Sequence, residues 1–243
     1  MLVVESAKAL ALKLNNPARV LASIPSAKLL RVQGSDLVIA PHKLDEVRVL
    51  RNLGINAPSP IMHYYDWCGR YTPYDHQRET AAFLTLNNKA LVLNEIGTGK
   101  TQSALWAADY LMKLGKVRRV LVLCPLSIMH SAWMGDLNNS IIHRSAVIAH
   151  HAQASRRIEM IQRDYEIVIT NYEGLNLIAN EVRNDGRFDL VIVDEANAYK
   201  TVTTKRWKTL NRLLKPETWL WLMTGTPAAQ SPTDAFGLAK LCV

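Results

Sequence analysis

The run Ala90–Asn94 followed by "EIGTGKT" (95–101) leaves this chain few ways to fold. Its first residues are apolar and read as a buried strand. Residues 101–115, "TQSALWAADYLMKLG", carry Ala104, Leu105, Ala108, Leu111 and Met112 on one helical stripe, with Gly115 at the C-terminal cap. A strand that turns through glycines straight into a helix presents amide groups that the helix cannot satisfy itself, which makes an anion site. At such a site Gly97 and Gly99 let the backbone approach phosphate oxygens. Lys100 reaches the β- and γ-phosphates, and the Thr101 hydroxyl meets Mg²⁺. Thr98 completes the loop. Asn94 stands where the general pattern has glycine, and Asn is the side chain that best tolerates unusual backbone angles. The alternative is a glycine turn that happens to precede Lys-Thr.

Downstream, apolar runs at 119–125, 146–150, 166–170, 189–195 and 218–223 alternate with helical patterns at 127–137, 155–163, from 173 onward, and 200–215. Strands apolar on both faces and joined by helical crossovers predict a doubly wound α/β domain with a parallel sheet between helices. In such sheets the carboxyl ends of the strands line the site. "DLVIVDEAN" places Asp194 and Glu195 at one of these ends. Asp194 would hold the metal, directly or through water, and Glu195 would polarise the attacking water.

Residues 1–60 read as a small α+β accessory domain and 61–243 as the α/β domain, with "NAPSP" (56–60) as a linker. The accessory region is expected to hold a helix near Glu5–Leu14 and strands over 19–24, 27–32 and 36–41. A hairpin turn is expected at 33–36, and an amphipathic helix over 42–54. Lys and Arg outnumber Asp and Glu by 29 to 21, which suits a polyanionic partner. Lys200, Lys205, Arg206, Lys208, Arg212 and Lys215 could give a phosphate track or only a solvated helix face. The three cysteines lack metal-site spacing, and neither a signal peptide nor a membrane span is legible. These features lead to the expectation of a soluble protein in the cytoplasm or at the nucleoid, with no membrane partner.

Five segments then occur in order: "NEIGTGKT", "VLCPLSIMHSAW", "IVITNYE", "VIVDEANAYK" and "LMTGTPAAQSPTDAF". Together they resemble motifs I, Ia, Ib/Ic, II and III of superfamily-two helicases, specifically Swi/Snf-like double-stranded DNA translocases. The form ending in "LRNLGINAPSPI" is also similar to bacteriophage members. The resemblance implies a RecA-like P-loop lobe that uses ATP and Mg²⁺ and binds duplex or branched DNA. It implies Gln77 at the adenine edge with Tyr74 nearby, and Ser127, Thr170, Asn171 and Lys200 toward nucleic-acid phosphates. Ser127 and Thr170 are also ordinary helix N-cap residue types. Thr224, Gly225 and Thr226 would couple the site to the nucleic acid, meeting Asn197, which stands where family members often have His. A second RecA-like lobe, expected as a partner, is not legible in these residues, so weak activity is expected of this lobe alone. An RNA helicase lobe and a non-catalytic binding module with a degenerate ATPase fold remain the alternatives.

Overall fold

The computed structural model describes residues 1–32, 34–226 and 234–243, which form two compact units, Met1–Asp66 and Trp67–Val243. In the first unit β1 (Leu2–Val4), β2 (Ala9–Leu12), β3 (Lys28–Val32) and β4 (Ser35–Pro41) pair antiparallel in the order β1-β2-β4-β3. Leu10 and Leu12 lie opposite Ala40 and Val38, and all four are buried. Helices α1 (Pro17–Ser23) and α2 (Leu44–Asn52) add Val20, Leu44, Val47 and Leu50 to the core. A short α3 (Ile61–Tyr64) completes the unit.

Two expectations for this unit are corrected. Residues 5–14 are not a helix: a 3-10 turn at Glu5–Ala7 ends on Lys8 in the left-handed region (φ 46°), and the chain continues as β2. Ala, Leu and Lys favour helix, but pairing with two neighbouring strands overrides that weak preference. Residues 19–24 are not a strand. Pro17 opens α1 at a first-turn position, where its fixed φ favours helix and its missing N–H costs nothing.

The second unit is built on β5 (Lys89–Val92), β6 (Arg119–Leu123), β7 (Ala146–Ile148), β8 (Ile167–Thr170), β9 (Phe188–Val193) and β10 (Trp219–Met223). They form one sheet in the order β5-β10-β9-β6-β8-β7, parallel at every pairing. Helix α4 (Asp75–Leu86) precedes β5, the intervening helices are α5 (Lys100–Lys113), α6 (Gly135–Ser140), α7 (Ala154–Gln162), α8 (Tyr172–Asp185) and α9 (Lys205–Leu213), and α10 (Asp234–Leu241) comes after β10. Leu121, Val168, Val191, Val193, Leu220 and Leu222 pack with Leu175 and Ile178 of α8, Trp207 and Leu210 of α9 and Leu238 of α10. Alternate residues Val120, Val122, Ile169 and Ile192 are equally buried and point to the opposite face, as a sheet flanked by helices requires. Trp219 and Trp221 belong to this core. The helix expected over 127–137 is broken into a 3-10 turn (Leu126–Ile128), a π-helical segment (Met129–Met134) and α6.

At the amino-terminal side of the sheet, Arg119 is 2% exposed. It donates to the carbonyls of Ile161, Arg163 and Tyr165 and to the Asp185 carboxylate at 2.6 Å. The first of these carbonyls belongs to the last turn of α7, where no intrahelical donor remains. Burial tends to raise the Asp185 pKa, but hydrogen bonds from Arg187 and the Arg119 charge outweigh it and hold the carboxyl below its ordinary 3.8. Such a depressed carboxylate stabilises the fold above its unfolded pKa, and the contribution is lost as pH falls through the folded value. Asp185→Ala strands a buried guanidinium and is expected to cost about 3 kcal/mol in urea denaturation at pH 7. The gap from the parent should narrow below about pH 4, in the range of the unfolded carboxylate.

Candidate nucleotide and nucleic-acid site

Strand register sets the site. The Asp194 N–H donates to the Leu123 carbonyl (2.8 Å) and the Thr224 N–H to the Val92 carbonyl (3.0 Å). The carboxyl ends of β5, β10, β9 and β6 therefore finish at one level, and the segments leaving them share an edge. A side chain at Gly225 would touch Asn94 and Ile96, so the turn after β10 lies against the loop after β5.

That loop winds through Gly97 (φ 82°) and Gly99 (φ 73°) into α5. The first α-helical bond inside α5 is Ser103 N–H to Gly99 carbonyl, which leaves the amides of Lys100, Thr101 and Gln102 without helical acceptors. Lys100 is 8% exposed and its ammonium donates to the carbonyls of Asn94 and Glu95, both at 2.9 Å. Thr101 is half-buried beside it. Gln77, at the third position of α4, accepts from the Tyr74 N–H (3.0 Å) and donates to the Thr98 carbonyl (3.4 Å). A Cβ on Gly99 would displace the Gln77 amide and its bond to Thr98, and the positive φ favours glycine there independently. Both ends of the Gln77 amide are thus used to cap α4 and brace the loop. Tyr74 is exposed and stacks on His76, with centroids 5.7 Å apart, and His76 bonds the Thr98 carbonyl. His76, Thr80, Phe83, Asn94 and Thr98 line a cleft of about 540 Å³.

Asp194 is 5% exposed, and both its oxygens are held. The Trp133 indole N–H donates to Oδ2 and the Glu195 N–H to Oδ1, each at 3.0 Å. Burial pushes this carboxyl above the ordinary range, opposed by the Trp133 and Glu195 bonds and by the nearby charge of Lys100. The loop that holds Lys100 and the turn that holds Asp194 leave the same edge of the sheet. Glu195 adopts φ 46°, a left-handed conformation that costs a non-glycine residue about 1–2 kcal/mol. The Tyr172 hydroxyl supports it, donating its one proton to the Asp194 carbonyl (2.6 Å) with the Glu195 carbonyl 3.3 Å away. Burial, with the Asp194 charge, raises the neighbouring Cys124 thiol to about 12, and the side chain is fully buried.

The expected nucleic-acid residues are placed unequally. Ser127 is exposed in the 3-10 turn that precedes the π-helical stretch. Asn171 bridges Arg157 (3.2 Å) and Glu173 (3.1 Å) and makes no side-chain cap of α8. Thr170 is fully buried and its hydroxyl donates to the Ala149 carbonyl (3.1 Å), which leaves it none for a phosphate. Lys200 is half-buried at the end of a 3-10 turn (Ala196–Tyr199), and its carbonyl lies where a side chain on Gly237 of α10 would fall. Thr224 is buried and accepts from the Thr226 N–H (3.2 Å). Among the described residues no hydrogen bond joins Asn197 to these threonines, and Thr224 and Gly225 instead contact the segment that enters the phosphate loop. The later part of that motif, 227–233, lies outside the described residues.

Residues 74–242 match the family model described as the SNF2-related domain. The chain belongs to that family. It is 26% identical over 175 residues to the uncharacterized ATP-dependent helicase YqhH of Bacillus subtilis, covering 70% of this chain and 29% of that protein. It is 26% identical over 171 residues to the Caenorhabditis elegans homolog of SWI/SNF-related matrix-associated actin-dependent regulator of chromatin subfamily A-like protein 1. That match covers 69% of this chain and 24% of the relative. The chain thus spans less than a third of either relative. Its fold matches the Sulfolobus solfataricus SWI2/SNF2 ATPase core in complex with dsDNA, with TM-score 0.58 and 21% identity over 72% of this chain and 36% of that one. The Swi/Snf-like resemblance drawn from the five motifs holds, as does the RecA-like fold.

Motif reading alone misses Trp133 and Tyr172, which hold the acidic pair. Their only signal is an aromatic side chain with a polar tip inside or beside a recognised motif. Tyr172→Phe removes the hydroxyl that supports the Glu195 turn and is expected to lower stability by about 1 kcal/mol. Glu195→Gly relieves the left-handed strain and is expected to be up to about 1 kcal/mol more stable than the parent in urea denaturation. A less stable Glu195→Gly protein would contradict the strain reading.

Proposed function

We propose that this lobe binds Mg²⁺-ATP between the phosphate loop and the acidic pair, and drives movement along duplex DNA when paired with a second RecA-like lobe. The observation that carries this reading is the strand register that brings the loop holding Lys100 and the turn holding Asp194 to one edge of the sheet. The residues fit the group: unused amides at the start of α5, an ammonium, a hydroxyl and an oriented carboxylate make the donor set of a metal-bound triphosphate. Lys100 would exchange its carbonyl partners for phosphate oxygens, while Gly97, Thr98 and Gly99 present the loop backbone. Thr101 and Asp194 would hold the metal, which supplies charge neutralisation when bound. Glu195, turned outward by its backbone, would orient the attacking water. The cleft beside His76 would take the base, with Gln77 bracing the loop from beneath.

Relatives named as an ATP-dependent helicase and as SWI/SNF-related proteins support motor activity, and the core solved with dsDNA supports duplex DNA as the track. Ser127, Asn171 and Lys200 lie on segments that leave the same sheet edge, and Lys205 and Lys208 extend them with exposed charge. Phosphate contacts of this kind position the duplex without reading its sequence. Branched DNA and a place in the cytoplasm or at the nucleoid belong to the same proposal.

Titration with a fluorescent ATP analogue tests the core of it. Lys100→Ala is expected to weaken binding by about 10- to 100-fold, the worth of a charge-assisted hydrogen bond. Equal affinity in the two proteins would favour the non-catalytic module instead.

A further inference from the structure

The segment Met129–Met134 is π-helical, between a 3-10 turn and α6. Such wide turns are rare and frequently lie at functional sites. Its inward residues are Met129 and Trp133, 1% and 0% exposed, while Ser127, His130 and Ser131 are exposed. An extra residue in a turn rotates the side chains beyond it by about 100° relative to an α-helix. The insertion therefore sets which side chain faces β9. The one that does is Trp133, whose N–H meets Asp194 Oδ2 at 3.0 Å in a fully buried contact.

We infer that Trp133 is a positioning residue for the metal-binding carboxylate, linking the exposed face at 127–131 to the nucleotide site. The inference rests on the Mg²⁺-ATP reading of Asp194 given above. The indole is a donor only, so it can bond the carboxylate and cannot compete for a cation. With the Glu195 N–H on Oδ1, it fixes the carboxylate plane and leaves the remaining lone pairs to a metal or its water. Because Trp133 shares the π-helical segment with His130 and Ser131, directly after the turn that holds Ser127, a phosphate docking there would bear on the bond to Asp194. A shift of the segment would lengthen that bond, and a rigid segment would preserve it.

The test compares the parent with Trp133→Phe, which keeps an aromatic six-membered ring and removes the N–H together with the five-membered ring that carries it. Dissociation constants of a fluorescent ATP analogue are measured with Mg²⁺ and with EDTA. The inference expects an unchanged constant in EDTA and a Mg²⁺-dependent gain in affinity about tenfold smaller than the parent's, the usual cost of losing a partner of a metal ligand. An undiminished gain in the folded variant would overturn it. A parent that shows no analogue binding in either buffer would remove the nucleotide reading and the inference with it. A second readout needs no variant: the Trp133 indole N–H signal in ¹⁵N NMR should exchange slowly and shift more with Mg²⁺-nucleotide than with nucleotide alone. An indole signal indifferent to Mg²⁺ would also overturn the inference.

Discussion

Two main-chain hydrogen bonds, Asp194 N–H to Leu123 and Thr224 N–H to Val92, together with the β9–β10 pairing of Val193 with Leu222, bring four strand ends to a common edge. Without that alignment the phosphate loop, the acidic pair and the turn after β10 would be separate features of the sheet. With it, a loop of glycines and a buried ammonium stand across from a carboxylate whose orientation is already set. The alignment comes from an all-parallel sheet with apolar strands, because every strand then carries its carboxyl end to the same side.

The site is organised by groups held where isolated residues would not stay. Asp194 is buried and costly to ionise, and Trp133, the Glu195 amide and Lys100 offset that cost. Glu195 sits in a left-handed turn supported by Tyr172. Strain of this kind persists only where the surroundings over-determine it, and both supports come from segments that leave neighbouring strands, β6 and β8. The segments nearest the proposed DNA track are thus the ones that hold the acidic pair. A motor needs such a connection, since hydrolysis and grip on the duplex must influence each other.

Much of this is legible from residues. Apolar runs with helical spacers predict the parallel sheet, and Gly97–Thr101 with Asp194 and Glu195 predict where its site lies. The failures are local and have physical causes. In the first unit, residues 9–12 look helical by composition but become a strand because two neighbours offer hydrogen bonds. Pro17 marks the start of α1, yet β-branched Val20 and Ile24 suggest a strand instead. The break in the helix after β6 leaves no trace in hydrophobic spacing, because the buried Met129, Trp133 and Leu137 keep a four-residue spacing that an unbroken helix would also show. Thr170 has a phosphate-binding side chain type, but at the last residue of a central strand it faces the Ala149 carbonyl. The chemistry of Gln77 is plain from its residue type, but its packing against Gly99 depends on where α4 lies in three dimensions.

The central claim is that one metal-bound triphosphate touches both the Gly97–Thr101 loop and the 194–195 pair. Paramagnetic NMR with Mn²⁺ in place of Mg²⁺ tests it most directly, because the bound ion broadens amide signals only in its neighbourhood. The account predicts that Mn²⁺ with an ATP analogue broadens the amides of residues 97–101 and of 194–195 together, and that neither set responds to Mn²⁺ without nucleotide to the same extent. Broadening of one set with the other left sharp would contradict it.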